Sequence, residues 1–136
     1  VMYVNARVRE GVASLPPDTP VRGKIEAAAR AYMNATLEKR EYMAAHANVL
    51  NQVPADLRRR HFKYLKQNNA FWRELVEEAI RAGEFRKNLN PSVATQVLMG
   101  TLIWTREWYK RGKSSPEKLT DEILEMLFAG LAPASR

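Results

Sequence analysis

Apolar residues recur along this chain at intervals of three and four, the spacing of a helix that buries one face. Val21, Ile25, Ala28, Tyr32 and Ala35 form one stripe. Leu57, His61, Tyr64, Asn68, Trp72, Leu75 and Ala79 form a second. Val93, Val97, Gly100, Trp104 and Trp108 make a third, and Leu119, Ile123, Met126, Leu127 and Leu131 a fourth. Val1, Val4, Val8 and Val12 share a face at the start. No segment keeps up the alternation of a strand. The pattern predicts an all-α chain with about six helices, near 1–14, 19–38, 40–51, 54–82, 91–111 and 116–131.

Helix punctuation agrees. Thr19-Pro20, Val53-Pro54, Asn90-Pro91 and Ser115-Pro116 stand where helices should begin. Proline suits a first turn because its missing N–H would be unpaired there. Thr19, Asn90 and Ser115 are expected N-caps. Gly83 and Gly112 are expected stops, since glycine enters the left-handed cap at little cost. The first stripe starts without a cap or an initiator Met, so the chain is expected to be a fragment that opens inside a helix.

Two stripes raise questions that the pattern alone does not close. His61, Tyr64 and Asn68 share a face with Trp72, and a buried polar group must find a partner, reach water or line a cavity. Tyr32, Thr36, Met43 and His46 are placed on the opposite wall, and Met99 and Trp104 complete the expected pocket. The helix over 91–111 is apolar on more than one side, with Leu98, Leu102 and Tyr109 opposite the Val93 stripe and Ile103 between. Such a helix needs cover on both sides. Gly100 costs about 1 kcal/mol relative to Ala in a helix interior and makes sense where another helix comes close. Trp104 and Trp108 are expected to be buried, Trp104 towards the body and pocket. The reading is a homodimer in which the last two helices of each copy form a four-helix bundle, with Gly100, Trp108, Tyr109, Leu119, Ile123 and Leu127 at the interface.

Composition narrows the chemistry. The 136 residues carry a net charge of +7 and include no cysteine. That excludes disulfides and thiolate catalysis and fits a reducing, cytoplasmic setting. No apolar run approaches the ~18 residues of a membrane span, and no signal peptide is visible. Positive charge gathers at Arg58, Arg59, Arg60, Lys63 and Lys66, and again at Arg106, Lys110, Arg111 and Lys113. Solvated helix faces explain both clusters. The alternative class is a nucleic-acid or membrane-surface binder. An enzyme using His46 or His61 as a base is a third class. It lacks a partner carboxylate, a metal-ligand spacing or a phosphate loop. Nothing asks for a cofactor or metal.

The segment GEFRKNLNP (Gly83 to Pro91), the helix end WTREWYKRGK (Trp104 to Lys113) and SSPEKLTDEILEMLFAGL (Ser114 to Leu131) follow one another in an order that resembles the C-terminal regulatory domain of the TetR family of bacterial transcriptional regulators. A narrower likeness, to regulators of lipid and steroid breakdown that respond to acyl-CoA thioesters, rests on the Trp-Tyr ending and on RRRHFKYLKQNNAFWRELVEEAIRAGEF (Arg58 to Phe85). The resemblance implies that residues 1–14 end a helix leading from an absent helix-turn-helix domain, and that 15–136 bind an effector and dimerise. It implies a repressor whose apolar or CoA-like effector alters operator binding by the absent domain. Arg59 and Lys63 would then be candidates for the CoA phosphates, with a solvated face as the plainer account.

Overall fold

Five helices build the described part of the chain, which in this computed structural model comprises residues 2–38, 54–109 and 115–133. They are α1 (Met2–Ala13), α2 (Val21–Glu38), α3 (Ala55–Arg81), α4 (Pro91–Trp108) and α5 (Pro116–Leu131). No strand occurs among the described residues. The helix expected over 40–51 lies outside them.

The capping chemistry is partly local and partly long-range. Asn90 accepts from the N–H groups of Ser92 and Val93 at the start of α4, and Ser115 accepts from Lys118 N–H at the start of α5. Pro91 and Pro116 each occupy the first turn behind these caps. Thr19 departs from the expectation. Its hydroxyl donates to the Pro16 carbonyl at 2.6 Å. The free N–H groups of Val21 and Arg22 instead donate to the carboxylate of Glu84, at 2.9 and 3.3 Å. A carboxylate 63 residues away thus caps α2, where its charge also suits the positive helix end.

Gly83 ends α3 with φ of 77°. Its N–H reaches the Ile80 carbonyl, and those of Glu84 and Phe85 reach Ala79. This left-handed turn aims Glu84 at α2 and Phe85 into the core beside Phe128, with ring centroids 6.2 Å apart. The turn is then held to the end of α5 by Arg86 N–H on the Leu131 carbonyl at 2.8 Å.

α2 is the hub. It packs on α1, α3, α4 and α5, while α4 also packs on α3. Ile25, Ala28, Ala29, Met33 and Ala35 put buried surface around much of its circumference, as a helix covered on several sides requires. Against α1 the approach is close: a β-carbon at Gly11 would stand 3.2 Å from Ala31 Cβ. Polar ties brace the first half of α2. Lys24 pairs with Glu78 at 3.3 Å, Arg30 with Glu26 and Asp121, and the Arg22 guanidinium lies 4.5 Å over Phe128. The hydrogen bond that Arg30 donates to Glu26, ahead of the one to Asp121, raises the Arg30 pKa above its ordinary value.

The orientation of α4 corrects the sequence reading. Ala94, Leu98, Leu102 and Thr105 face the core, together with Thr95 and Met99. The stripe expected to be buried lies on the opposite side: Val93, Val97, Trp104 and Trp108 are exposed, Trp104 at 66%. Both faces are apolar, and α4 seats the one without tryptophan against α3 and α2. Gly100 is exposed, and nothing in the described structure comes within 4 Å of where its β-carbon would be. None of the described helices therefore explains that glycine. α4 also stops earlier than expected: Tyr109 has left helical geometry (ψ 133°), and its ring side is buried.

Candidate functional site

The second half of α2 and the middle of α3 bring together four of the polar or aromatic residues singled out in the sequence. Tyr32 and Thr36 come from α2, Asn68 and Trp72 from α3, and all four are buried. Residues four apart on a helix lie one above the other, so Tyr32 and Thr36 share one face of α2, and Asn68 and Trp72 one face of α3. The rings of Tyr32 and Trp72 meet edge to face, with centroids 6.5 Å apart and planes at 84°. Phe71 packs on Trp72 in the same manner at 6.3 Å. Edge-to-face contacts at this separation are favourable for aromatic pairs, and together they fix the indole.

Two polar atoms at this junction stand out. Thr36 is 1% exposed and Trp72 0%. Among the described residues neither Thr36 Oγ1 nor Trp72 Nε1 finds a hydrogen-bond partner. Leaving a buried donor unmade costs about 1–3 kcal/mol. A helical threonine has a ready escape, donating to the carbonyl four residues earlier. Thr95, Thr105 and Thr120, the other buried threonines, all take it, each at 2.7 Å. Thr36 does not. The orphaned hydroxyl is thus a property of this place and not of threonine in these helices.

The remaining site expectations divide three ways. Met99 is buried on α4. Trp104 stands on the outer face of α4 and does not join the buried cluster, because the side of α4 that bears it points away from α2 and α3. Met43 and His46, and the side chains of His61 and Tyr64, lie outside the described residues. So do the side chains of most of the basic residues between Arg58 and Lys66, of which Arg59 and Lys66 are exposed. The sequence reading did not foresee that the Trp72 indole N–H and Thr36 hydroxyl would be left unpaired, since a pattern of residue types carries no hydrogen-bond geometry.

A second surface lies on the outside of α4 and α5. Val93 and Val97 of α4 and Met126 of α5 flank a groove of about 270 Å³, and Met126 is 76% exposed. Ile103, Trp104 and Trp108 continue the exposed apolar surface along α4. Of the residues expected at an interface, Gly100 and Trp108 are on this outer side and Ile123 and Leu127 are partly buried. Tyr109 and Leu119 are covered by the chain itself and have little surface left to offer. Among the described residues no group of three acidic or histidine side chains converges on a metal position. None of the described helices is long and apolar enough to cross a membrane.

A search of curated proteins finds no match. Solved structures do match the fold. The ketosteroid transcriptional regulator KstR2 of Mycobacterium tuberculosis superimposes with a TM-score of 0.84 at 16% identity, over 98% of this chain and 67% of its own. A TetR/AcrR-family regulator from Thermobifida fusca YX-ER1 gives 0.72 at 23%, over 95% and 70%. AibR, solved in complex with isovaleryl coenzyme A and operator DNA, gives 0.68 at 19%, over 93% and 74%. The family model described as "Tetracyclin repressor-like, C-terminal domain" matches residues 18–131. With that match spanning most of its length, the chain belongs to the TetR family of transcriptional regulators, as a tetracycline-repressor-like C-terminal domain.

Proposed function

We propose that this chain is the effector-binding and homodimerising half of a ligand-responsive regulator, in most cases of this family a repressor. Residues 1–14 end the helix that leads from a helix-turn-helix domain, and 15–136 form the regulatory body. The effector is a small, largely apolar molecule or an acyl-CoA thioester, held between α2, α3 and α4 by Tyr32, Thr36, Asn68, Trp72 and Met99. Met43, His46, His61 and Tyr64 remain assigned to the same site by sequence. The observation that carries the reading is the pair of fully buried donors at the α2–α3 junction that have no partner among the described residues in a chain of this family. The neighbour solved with isovaleryl coenzyme A supports the ligand class by likeness of fold. Binding regulates only if the effector prefers one arrangement of α1 over another.

The exposed stripe Val93, Val97, Gly100, Trp104 and Trp108, with Ile123, Met126 and Leu127 of α5, is proposed to pair with its copy across a two-fold axis, making the four-helix bundle. A helix apolar on both sides needs cover on both, and the described residues cover α4 on one. Trp104 moves in this reading from the pocket to the interface. Sedimentation of the chain and native mass spectrometry of the purified protein test the two halves. A dimer holding an apolar ligand is expected. A strict monomer at high concentration that binds neither isovaleryl coenzyme A nor any copurifying apolar molecule would sink the proposal.

A further inference from the structure

We infer that the effector presents a neutral hydrogen-bond-accepting oxygen, a carbonyl on an otherwise apolar frame, to the Trp72 indole N–H and the Thr36 hydroxyl. The inference rests on the reading of this chain as an effector-binding domain and adds the chemistry of its ligand. Trp72 Nε1 and Thr36 Oγ1 are both fully buried and, among the described residues, both lack a partner. An indole nitrogen can only donate, so whatever meets it must accept. The indole does not turn away to satisfy itself, because Tyr32 and Phe71 hold its ring edge to face from two directions. Thr36 lies one turn beyond Tyr32 on the same face of α2. Its hydroxyl is the one buried threonine oxygen that forgoes the backbone bond taken by Thr95, Thr105 and Thr120.

Charge decides between a carbonyl and a carboxylate. The two donors, an indole N–H and a hydroxyl, are themselves uncharged. An anionic oxygen would lose its hydration on meeting them and gain no counter-charge from either, whereas a carbonyl has two lone pairs and no charge to desolvate.

The test uses a ketone and its carbon isostere, 2-heptanone and 2-methyl-1-heptene, in which a methylene replaces the oxygen. The chain is labelled with ¹⁵N-tryptophan, and Trp72→Phe assigns one of the three indole signals. The ketone is expected to move the Trp72 signal downfield, with the alkene leaving it near its free position. Thr36→Val and Trp72→Phe should each lower the ratio of ketone to alkene affinity about fivefold or more, the worth of one hydrogen bond. Should Trp72→Phe fail to fold, Thr36→Val and the wild-type indole shift decide. If both probes bind and the ratio stays the same in the variants, the carbonyl inference is overturned while the effector pocket stands. If neither probe binds the wild-type chain, both are overturned.

Discussion

Replacing Thr36 with valine should make the ligand-free protein more stable, which is unusual for a fully buried position. Valine keeps the shape of threonine and exchanges the hydroxyl for a methyl. In most cores that change breaks a hydrogen bond. Here the hydroxyl of Thr36 has no described partner to lose. Removing an unsatisfied buried group recovers about 1–3 kcal/mol, and the added methyl contributes roughly 0.8 kcal/mol of burial. Both residues are β-branched with similar helix propensity, so the helix term cancels. Allowing for relaxation around the hydroxyl, the net gain is about 1–2 kcal/mol. For a chain of this length that is roughly 3–8 °C in Tm. Thr105→Val is the control. Thr105 is equally buried, but its hydroxyl donates to the Thr101 carbonyl at 2.7 Å, so loss of that bond offsets the methyl and the change is within about 0.5 kcal/mol of zero. Urea and thermal unfolding at one fixed protein concentration give the comparison, because association would make Tm depend on concentration. A Thr36→Val protein destabilised by about 1 kcal/mol or more would mean that the hydroxyl is satisfied in the folded chain, and the reasoning about the junction would fail.

Three further outcomes follow from the same structure. Glu84→Ala uncaps the two N–H groups that open α2 and should cost about 1–2 kcal/mol, read by denaturant unfolding; an unchanged midpoint would show that water replaces the carboxylate. Gly83→Ala meets no neighbour within 4 Å, so its cost is the backbone's alone, about 1 kcal/mol for a side chain at φ 77°, and a neutral result would show the turn reshaping. Val97→Asp places a charge in the middle of the exposed face of α4 and should shift the chain to monomers in sedimentation while leaving its circular dichroism intact. A persisting dimer would place the interface elsewhere.

Much of the fold was legible because it depends on spacing. Proline and capping residues marked the starts of α4 and α5, and Gly83 the end of α3, within a residue or two. The failures share a cause. Thr19 is chemically a good cap, but Glu84 competes for the same N–H groups from across the fold, and sequence distance hides such a rival. On α4 both faces are apolar, and spacing alone does not say which meets the chain's own core. The choice falls to whichever fits between α2 and α3, and Ala94, Leu98 and Leu102 fit where Trp104 and Trp108 do not. At the site, helical spacing put Tyr32, Thr36, Asn68 and Trp72 on facing stripes. It had no means of showing that two of their donors stay unmade, which depends on rotamers and distances of fractions of an ångström.

The way α2 is held bears on how the junction communicates with α1. Its first half is fixed by Glu84, by Lys24–Glu78, by Arg30–Asp121 and by Arg22 over Phe128. Tyr32 and Thr36 lie beyond those ties, and α1 runs along α2 with Gly11 facing Ala27 and Ala31. A change in α2 near Thr36 would reach α1 across this shared packing, of which the Gly11 contact is one close point. Crowding that contact isolates it. Gly11→Val puts a branched side chain where a single β-carbon already stands 3.2 Å from Ala31 Cβ and 3.5 Å from the Ala27 carbonyl. Overpacking of this kind costs about 1–3 kcal/mol. Hydrogen exchange should quicken across residues 2–13 and remain slow at the braced start of α2. Ala31→Gly, which removes the opposing carbon, should restore much of the protection in the double variant, an interaction between neighbours that independent sites would not show. Unaltered exchange in Gly11→Val would mean that α1 rides on α2 too loosely for this contact to transmit anything.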